Sequence, residues 1–361
     1  MSPSRPYRWP FVAALGAAAV LLAGCGSSSH RAATTPSRAV SPSRCAANRA
    51  AGPVTYLTGF GFQASTGILD AVGAQASGLY TAECLDVTLR PGNGDPGTAA
   101  QLTASGKTTF AELGSPSDAI TNVAHGIDVD AVATYGNVPA VTLLTSPAIT
   151  NLRQLEGRTL GYKGAMPPQI TAMLIAAGVD VTKVREVGVG FDPTVLSRGQ
   201  VDALTAYKSN EPVQLRDAGD PFRQWDPDRF GVGGSFNVID VNRAFAAAHP
   251  TAVEDFLRAT LRAFGACVAN PTPCIAAASH LQPGYNARQN TEEWKIQSSE
   301  ASDSRLPGQG VGAETLAQWQ PEADLLVRFH LVDHPPALGP IVDPHFVAAI
   351  YRGPDLVWPG P

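Results

Sequence analysis

Residues 104–120 read ASGKTTFAELGSPSDAI, and residues 197–215 read SRGQVDALTAYKSNEPVQL. Both run from a glycine through a short strand pattern and a polar loop into a helix start. Counted from Gly106 and from Gly199, Asp118 and Glu211 fall at the same offset, preceded by Ser117 and Asn210. A loop that leaves the carboxyl end of a parallel strand and enters a helix is where open α/β sheets bind ligands. The helix start adds unpaired N–H groups and the positive end of the peptide dipoles. Two such units predict two α/β lobes that present equivalent edges across a cleft.

The neighbouring sequence repeats this grammar. VTYLTGF from Val54, LDVTLRPG from Leu85, TTFAELG and DAVATYG read as strands rich in Val, Thr and aromatics. Between them STGILDAVGAQASG, DPGTAAQLTASG and SPSDAITNVAHG open at Ser or Asp and close at Gly, which are helix start and stop signals. Alternating strand and helix predict βαβ units around a largely parallel sheet. A second set comprises RTLGYKG, PPQITAMLIAAGV, VREVGVG and the second stretch quoted above. After GGSFNVIDVN helical periodicity takes over. It is clearest over Thr251–Val268, with Val253, Phe256, Leu257, Leu261, Phe264 and Val268 on one face. Further helices are expected around TEEWKIQ, AETLAQWQPEADLLVRF and PHFVAAIY.

The front of the chain is different. Arg5 and Arg8 precede an apolar run, Phe11 to Leu22, with small residues after it, the pattern of an export signal over residues 1–24. The run is short of the roughly 20 apolar residues that span a bilayer. Leu22-Ala23-Gly24-Cys25 resembles the lipobox of bacterial lipoproteins, which implies diacylglycerol on Cys25 and stable anchoring by two acyl chains. From Cys25 to residue 50, Ser, Ala, Thr and Pro dominate, and this stretch reads as a flexible tether.

With Cys25 set aside, Cys45, Cys84, Cys267 and Cys274 remain, an even number for an oxidising compartment. Four cysteines allow three pairings. Cys267 and Cys274 close a short loop at a helix end, so proximity favours that pair and leaves Cys45 with Cys84. No CxxC supports a zinc site. Removing Arg5 and Arg8 from 26 basic residues leaves 24 against 31 acidic, a formal charge of −7. No basic stripe stands out, so nucleic acid is not an expected partner.

The lipobox, SGKTTFAELGSPSDAI, AVATY, NLRQLEGRTLGYKG, TAYKSNEP and VNRAFAAAHPTAVEDFLRA occur in an order similar to that of substrate-binding proteins of ABC importers. Within them the chain resembles the branch handling thiamine precursors, sulfonates, taurine and nitrate, from about Val54 to Tyr351. The resemblance implies a type II, two-lobed periplasmic-binding-protein-like α/β fold. Lobe 1 would hold residues 51–138 and 237–361, and lobe 2 residues 139–236. Two crossover strands near Tyr135–Val141 and Phe236–Val241 would form the hinge, with the C-terminal helices on the first lobe. It further implies a monomeric receptor without enzymatic activity or cofactor. Such a receptor is exported and lipid-anchored to the outer face of the bacterial cytoplasmic membrane, where it delivers a small molecule to ABC permease subunits.

Its ligand residues fall on the strand-to-helix turns. Many members of the branch stack a flat ligand on a Trp in the first turn. Here that turn reads Gly59-Phe60-Gly61-Phe62-Gln63, and a phenyl ring offers a smaller face without an indole donor. Ser115 and Ser117 stand at the next helix start and also fit a plain capping role. Lys163 ends the second lobe's first strand, and Tyr207, Asn210 and Glu211 follow the quoted strand. A carboxylate only accepts hydrogen bonds, so a cleft-facing Glu211 would choose a ligand bearing N–H or positive charge. An anion about 4 Å away would cost several kcal/mol. The favoured ligand is therefore a small nitrogen-containing metabolite such as a thiamine-precursor pyrimidine, unless Lys163 neutralises Glu211. A sulfonate- or nitrate-type oxyanion binder is the first alternative. The second is a pyrimidine-processing enzyme of the same fold, which needs a free thiol or reactive His. His330, Asp333, His334 and His345 have metal-like spacing, but Pro335 and Pro336 end any helix there and no metal is expected.

Overall fold

Two five-stranded sheets of the same plan organise the computed structural model, which describes residues 40–361. The expected signal segment, Cys25 and the tether up to residue 39 lie outside the described residues. The chain enters through α1 (Pro42–Ala50), β1 (Pro53–Leu57), α2 (Leu69–Ala76), α3 (Leu79–Ala82) and β2 (Asp86–Arg90). It continues through α4 (Pro96–Ala104), β3 (Phe110–Leu113), α5 (Pro116–Ala124) and β4 (Ala131–Gly136). The second set runs β5 (Val141–Thr145), β6 (Thr159–Tyr162), α6 (Pro168–Ala176), β7 (Arg185–Gly188), α7 (Thr194–Ser197), β8 (Ala203–Tyr207), α8 (Glu211–Ala218) and β9 (Arg223–Trp225). β10 (Phe236–Val241) is followed by α9 (Arg243–Ala248), α10 (Pro250–Ala269), α11 (Thr272–Leu281), α12 (Ala287–Asp303), α13 (Leu316–Arg328) and α14 (His345–Ala349).

The first sheet is ordered β2-β1-β3-β10-β4 and the second β7-β6-β8-β5-β9. In each, four strands run the same way, and the strand that has just arrived from the other sheet, β10 or β5, lies antiparallel between β3 and β4 or between β8 and β9. β3 and α5 in one lobe therefore correspond to β8 and α8 in the other, the equivalence that the two quoted stretches predict. The passages between sheets, residues 137–140 and 226–235, run side by side. Ser235 Oγ donates to Asn137 Oδ1 at 3.3 Å, and a Cβ on Gly234 would meet Pro139 Cγ at 3.2 Å.

Burial explains most of the rest. Val253, Phe256, Leu257, Leu261 and Phe264 on α10 are buried as their spacing predicts, and Phe256 stacks on Phe110 at 4.1 Å. Val268 departs from that face and is 44% exposed, because α10 ends one residue later and the chain turns away from the core.

Two expectations are corrected. The tether stops earlier than residue 50: α1 is docked, with Arg44 donating to Glu254 at 2.5 Å and Asp255 at 2.6 Å, and Asn48 to Asp255 at 2.7 Å. Nor do the C-terminal helices belong to the first lobe alone. Trp319, Ala323 and Leu326 of α13 pack with Leu113 and Ile120, whereas Leu325 packs with Leu143 and Met173 of the second lobe. An amphipathic helix with apolar residues on two faces can bridge two cores in this way.

Both disulfides form as expected, Cys45–Cys84 and Cys267–Cys274. The second ties α10 to α11 over Gly73 of α2, where a Cβ would lie 2.8 Å from Cys267 Sγ. Replacing Cys267 and Cys274 together by alanine is expected to cost about 2 kcal/mol, the loop-closure value for so short a loop. Chemical denaturation of the oxidised proteins measures it, and an unchanged midpoint would show that the bond adds no stability.

Candidate functional site

Strand ends and helix starts of both lobes converge on one crevice. From the first lobe comes the β1–α2 turn, where Phe60 points outward and Phe62 turns into the core at 7% exposure. Two residues apart, the rings would share a face on a straight strand; the chain bends through residues 59–62 after β1 ends, and that sends them to different sides. Phe60 meets the second lobe edge-on, at 5.9 Å from the Tyr207 ring and 6.4 Å from Phe191. The lobes are thus together here, and a Cβ on Gly164 would stand 3.7 Å from the Gly94 carbonyl oxygen across the gap.

Tyr207 and Glu211 sit where β8 passes into α8. Glu211 is 2% exposed; its Oε2 accepts from Tyr207 N at 2.8 Å and its Oε1 is paired with Lys163 Nζ. Burial pulls the Lys163 ammonium down to about 7, and the carboxylate against it opposes that shift. The charge argument for a nitrogen-bearing ligand that rested on Glu211 alone therefore fails, since Lys163 neutralises it. Asn210 precedes α8 without capping it; its Oδ1 accepts from Gln214 Nε2 at 2.5 Å.

The other first-lobe residues divide. Ser115 caps α5, accepting from Asp118 N at 3.3 Å, and burial pushes Asp118 up to about 6. Ser117 is 1% exposed and points away from the crevice. Its N and Oγ donate to Glu322 of α13 at 3.0 and 2.5 Å, so it serves the junction between lobes. Glu112 lies beneath the β1–α2 turn, accepting from Gly59 N at 3.0 Å, with its carboxyl raised by burial to about 8. The Tyr207 hydroxyl is likewise driven up by burial.

A cavity of about 400 Å³ opens beside these groups. Phe60, Gln63, Asn210 and Glu211 line it with Asn93, Phe191 and Gln214. A wall that the sequence analysis missed comes from the loop after α11 and the first turns of α12: Gln282, Tyr285, Asn286, Gln289, Asn290 and Glu293. The signal for it was present, as a polar stripe at helical spacing on a helix that also buries Trp294. Among the described residues, no Lys, Arg or His lines the cavity. Arg288, beside these residues in sequence, pairs with Asp217 of α8 and so links α12 to the second lobe. A hollow of about 600 Å³ by Asp130 and His345 lies on the flank of the first lobe, and its Arg243 is spent on the Val129 and Pro340 carbonyls.

The disulfides engage Cys45, Cys84, Cys267 and Cys274, so the described residues hold no free thiol for the thiol form of the enzyme alternative. His330 stands in a left-handed conformation past the end of α13, so it and His334 do not share a helix face, and the described residues contain no metal-binding cluster.

Solved structures share this architecture. The alkanesulfonate-binding protein SsuA from Xanthomonas axonopodis pv. citri bound to MOPS matches with a TM-score of 0.62 at 17% identity, over 81% of this chain and 98% of that one. The periplasmic aliphatic sulphonate binding protein SsuA from Escherichia coli matches at 0.60 and 18% identity, over 86% and 96%. These likenesses establish a two-lobed periplasmic-binding-protein-like fold. In sequence, the riboflavin-binding protein RibY from Chloroflexus aurantiacus is 30% identical over 154 residues, 41% of this chain and 43% of that relative. The match thus spans less than half the length of that relative. The sequence model of the family described as NMT1/THI5 like covers residues 66–273, more than half the chain, and the protein belongs to that family.

Proposed function

We propose that the protein is the solute-binding component of an ABC importer, exported and lipid-anchored through Cys25, that closes its lobes over a small nitrogen heterocycle. Family membership supports the transport role, and the LAGC stretch at residues 22–25 supports the anchor. One observation carries the ligand class: the cavity is walled by carboxamides and aromatic rings, with no unpaired cation among its lining residues. A sulfonate brought there would lose its hydration without gaining a counter-charge, a cost of several kcal/mol. A flat heterocycle with several N–H and carbonyl edges stacks on Phe60 and finds amides that both donate and accept. A thiamine-precursor aminopyrimidine has these properties, and so does the flavin named for the curated relative.

A thermal-shift panel of an aminopyrimidine, riboflavin and ethanesulfonate on the mature protein tests this reading. A bound heterocycle at a hundred times its Kd is expected to raise Tm by roughly 4 °C, with no rise for ethanesulfonate. A rise with ethanesulfonate alone would overturn the ligand class.

A further inference from the structure

The polar groups of the cavity are unequal once their existing bonds are counted. Asn290 is spent: its Oδ1 accepts from Ala64 N at 2.9 Å and its Nδ2 donates to the Asn286 carbonyl at 2.9 Å. It holds the β1–α2 turn against α12. Gln282 is half spent, with Oε1 accepting from Phe62 N at 2.9 Å and Nε2 facing the Gly61 backbone without a bond. The Gln63 side chain, which lines the cavity, makes no hydrogen bond among the described residues. Tyr285 Oη is shut off from solvent and has no partner. Glu293 is 4% exposed and has one side-chain bond, from Gln289 Nε2 at 2.7 Å to Oε1.

A buried hydroxyl without a partner is costly in a finished protein, and the second Glu293 oxygen accepts no bond from the described residues. Both line the same wall, away from the ring-stacking Phe60. Their free positions suit a group that donates hydrogen bonds and accepts one, such as a hydroxyl or an amine. An anionic group there would face the Glu293 carboxylate.

We propose that Glu293 and Tyr285, with Gln63 and Gln282 beside them, form a specificity subsite that takes a hydroxyl- or amino-bearing chain attached to the ligand's ring and rejects an anionic one. The inference rests on the heterocycle reading above. Burial holds the Glu293 carboxyl at about 7, so near neutral pH it can both give and take a proton in a hydrogen bond.

Two ring-and-chain pairs test it by calorimetry on the intact mature protein. One is riboflavin against lumichrome, the same ring without its polyol chain. The other is 4-amino-5-hydroxymethyl-2-methylpyrimidine against its 5-methyl analogue. In whichever pair binds, the chain-bearing member is expected to bind at least tenfold tighter. Glu293→Gln should erase most of that advantage while leaving the chainless member unchanged, and Tyr285→Phe should erase part of it. Where riboflavin binds, its phosphate ester should bind at least tenfold more weakly than riboflavin, and Glu293→Gln should narrow that gap. Equal binding of both members, or an equal loss of both in Glu293→Gln, overturns the subsite and leaves the heterocycle reading standing. Failure of both pairs overturns the heterocycle reading itself. Phe60→Ala separates the levels, since it should weaken both members of a pair alike.

Discussion

Replacing Glu322 by alanine is expected to cost about 4–5 kcal/mol in folding free energy, the largest loss from any single side chain of the α13 junction. The carboxylate is fully buried and takes four hydrogen bonds from three parts of the chain. Ser117 N and Oγ come from the start of α5 in the first lobe, Gln169 Nε2 at 3.0 Å from α6 in the second, and Ser235 N at 2.6 Å from the returning passage. Alanine strands these donors in a dry site, and each stranded donor costs about 1–3 kcal/mol before the cavity is counted. Burial lifts the carboxyl and the donors around it oppose the lift, leaving it at about 7. Glu322→Gln keeps the volume but turns an amide N–H₂ towards Ser235 N or Ser117 N, so about 2 kcal/mol should go. Guanidinium unfolding followed by fluorescence and by circular dichroism measures both. Because Glu322 joins the lobes, the alanine variant should also unfold in two steps where the parent unfolds in one. A single transition displaced by less than about 1 kcal/mol would mean that α13 does not couple them.

That junction also marks where legibility in the sequence ends. Local rules carried far: the Gly-to-Ser punctuation gave the βα units, and the matched positions of Asp118 and Glu211 do open corresponding helices, α5 and α8. The apolar period of α10 named its buried face up to Phe264. The failures are contacts between distant parts of the chain. Arg44 and Asn48 stand four apart in a stretch of tether-like composition, and only Asp255, more than two hundred residues on, makes them a docking face. Ser117 fits a ligand contact as well as a cap until Glu322 takes both of its donors. Glu293 lies on a helix whose buried Trp294 marks another face, and a polar stripe at helical spacing reads as solvated surface until the fold sets it against the crevice. Side-chain pairing across lobes has no period and no motif, which is why the scaffold was easier to read than the chemistry of its crevice.

Lys163 and Glu211 should show the strongest pairwise coupling in the crevice. Both are largely shut off from solvent, with side-chain exposures of 9% and 2%. Removing one partner from such a pair leaves a buried charge uncompensated, and about 3–5 kcal/mol is the usual loss. Lys163→Met is expected to fall in that range. Glu211→Gln should cost less, since the stranded lysine can shed its proton: burial alone holds it at about 7. The double variant should lose about 2–3 kcal/mol less than the two singles together. The same cycle reports on ligand charge. In the parent each charge cancels the other, so the crevice offers an anion nothing. In Glu211→Gln the ammonium is free and charged below pH 7, so an alkanesulfonate should bind at pH 6 and be released by pH 8. A lysine held by no carboxylate would give the opposite record: additive singles, and sulfonate binding already in the parent. On this scaffold, one ion pair formed within the second lobe then separates a crevice closed to anions from one open to them.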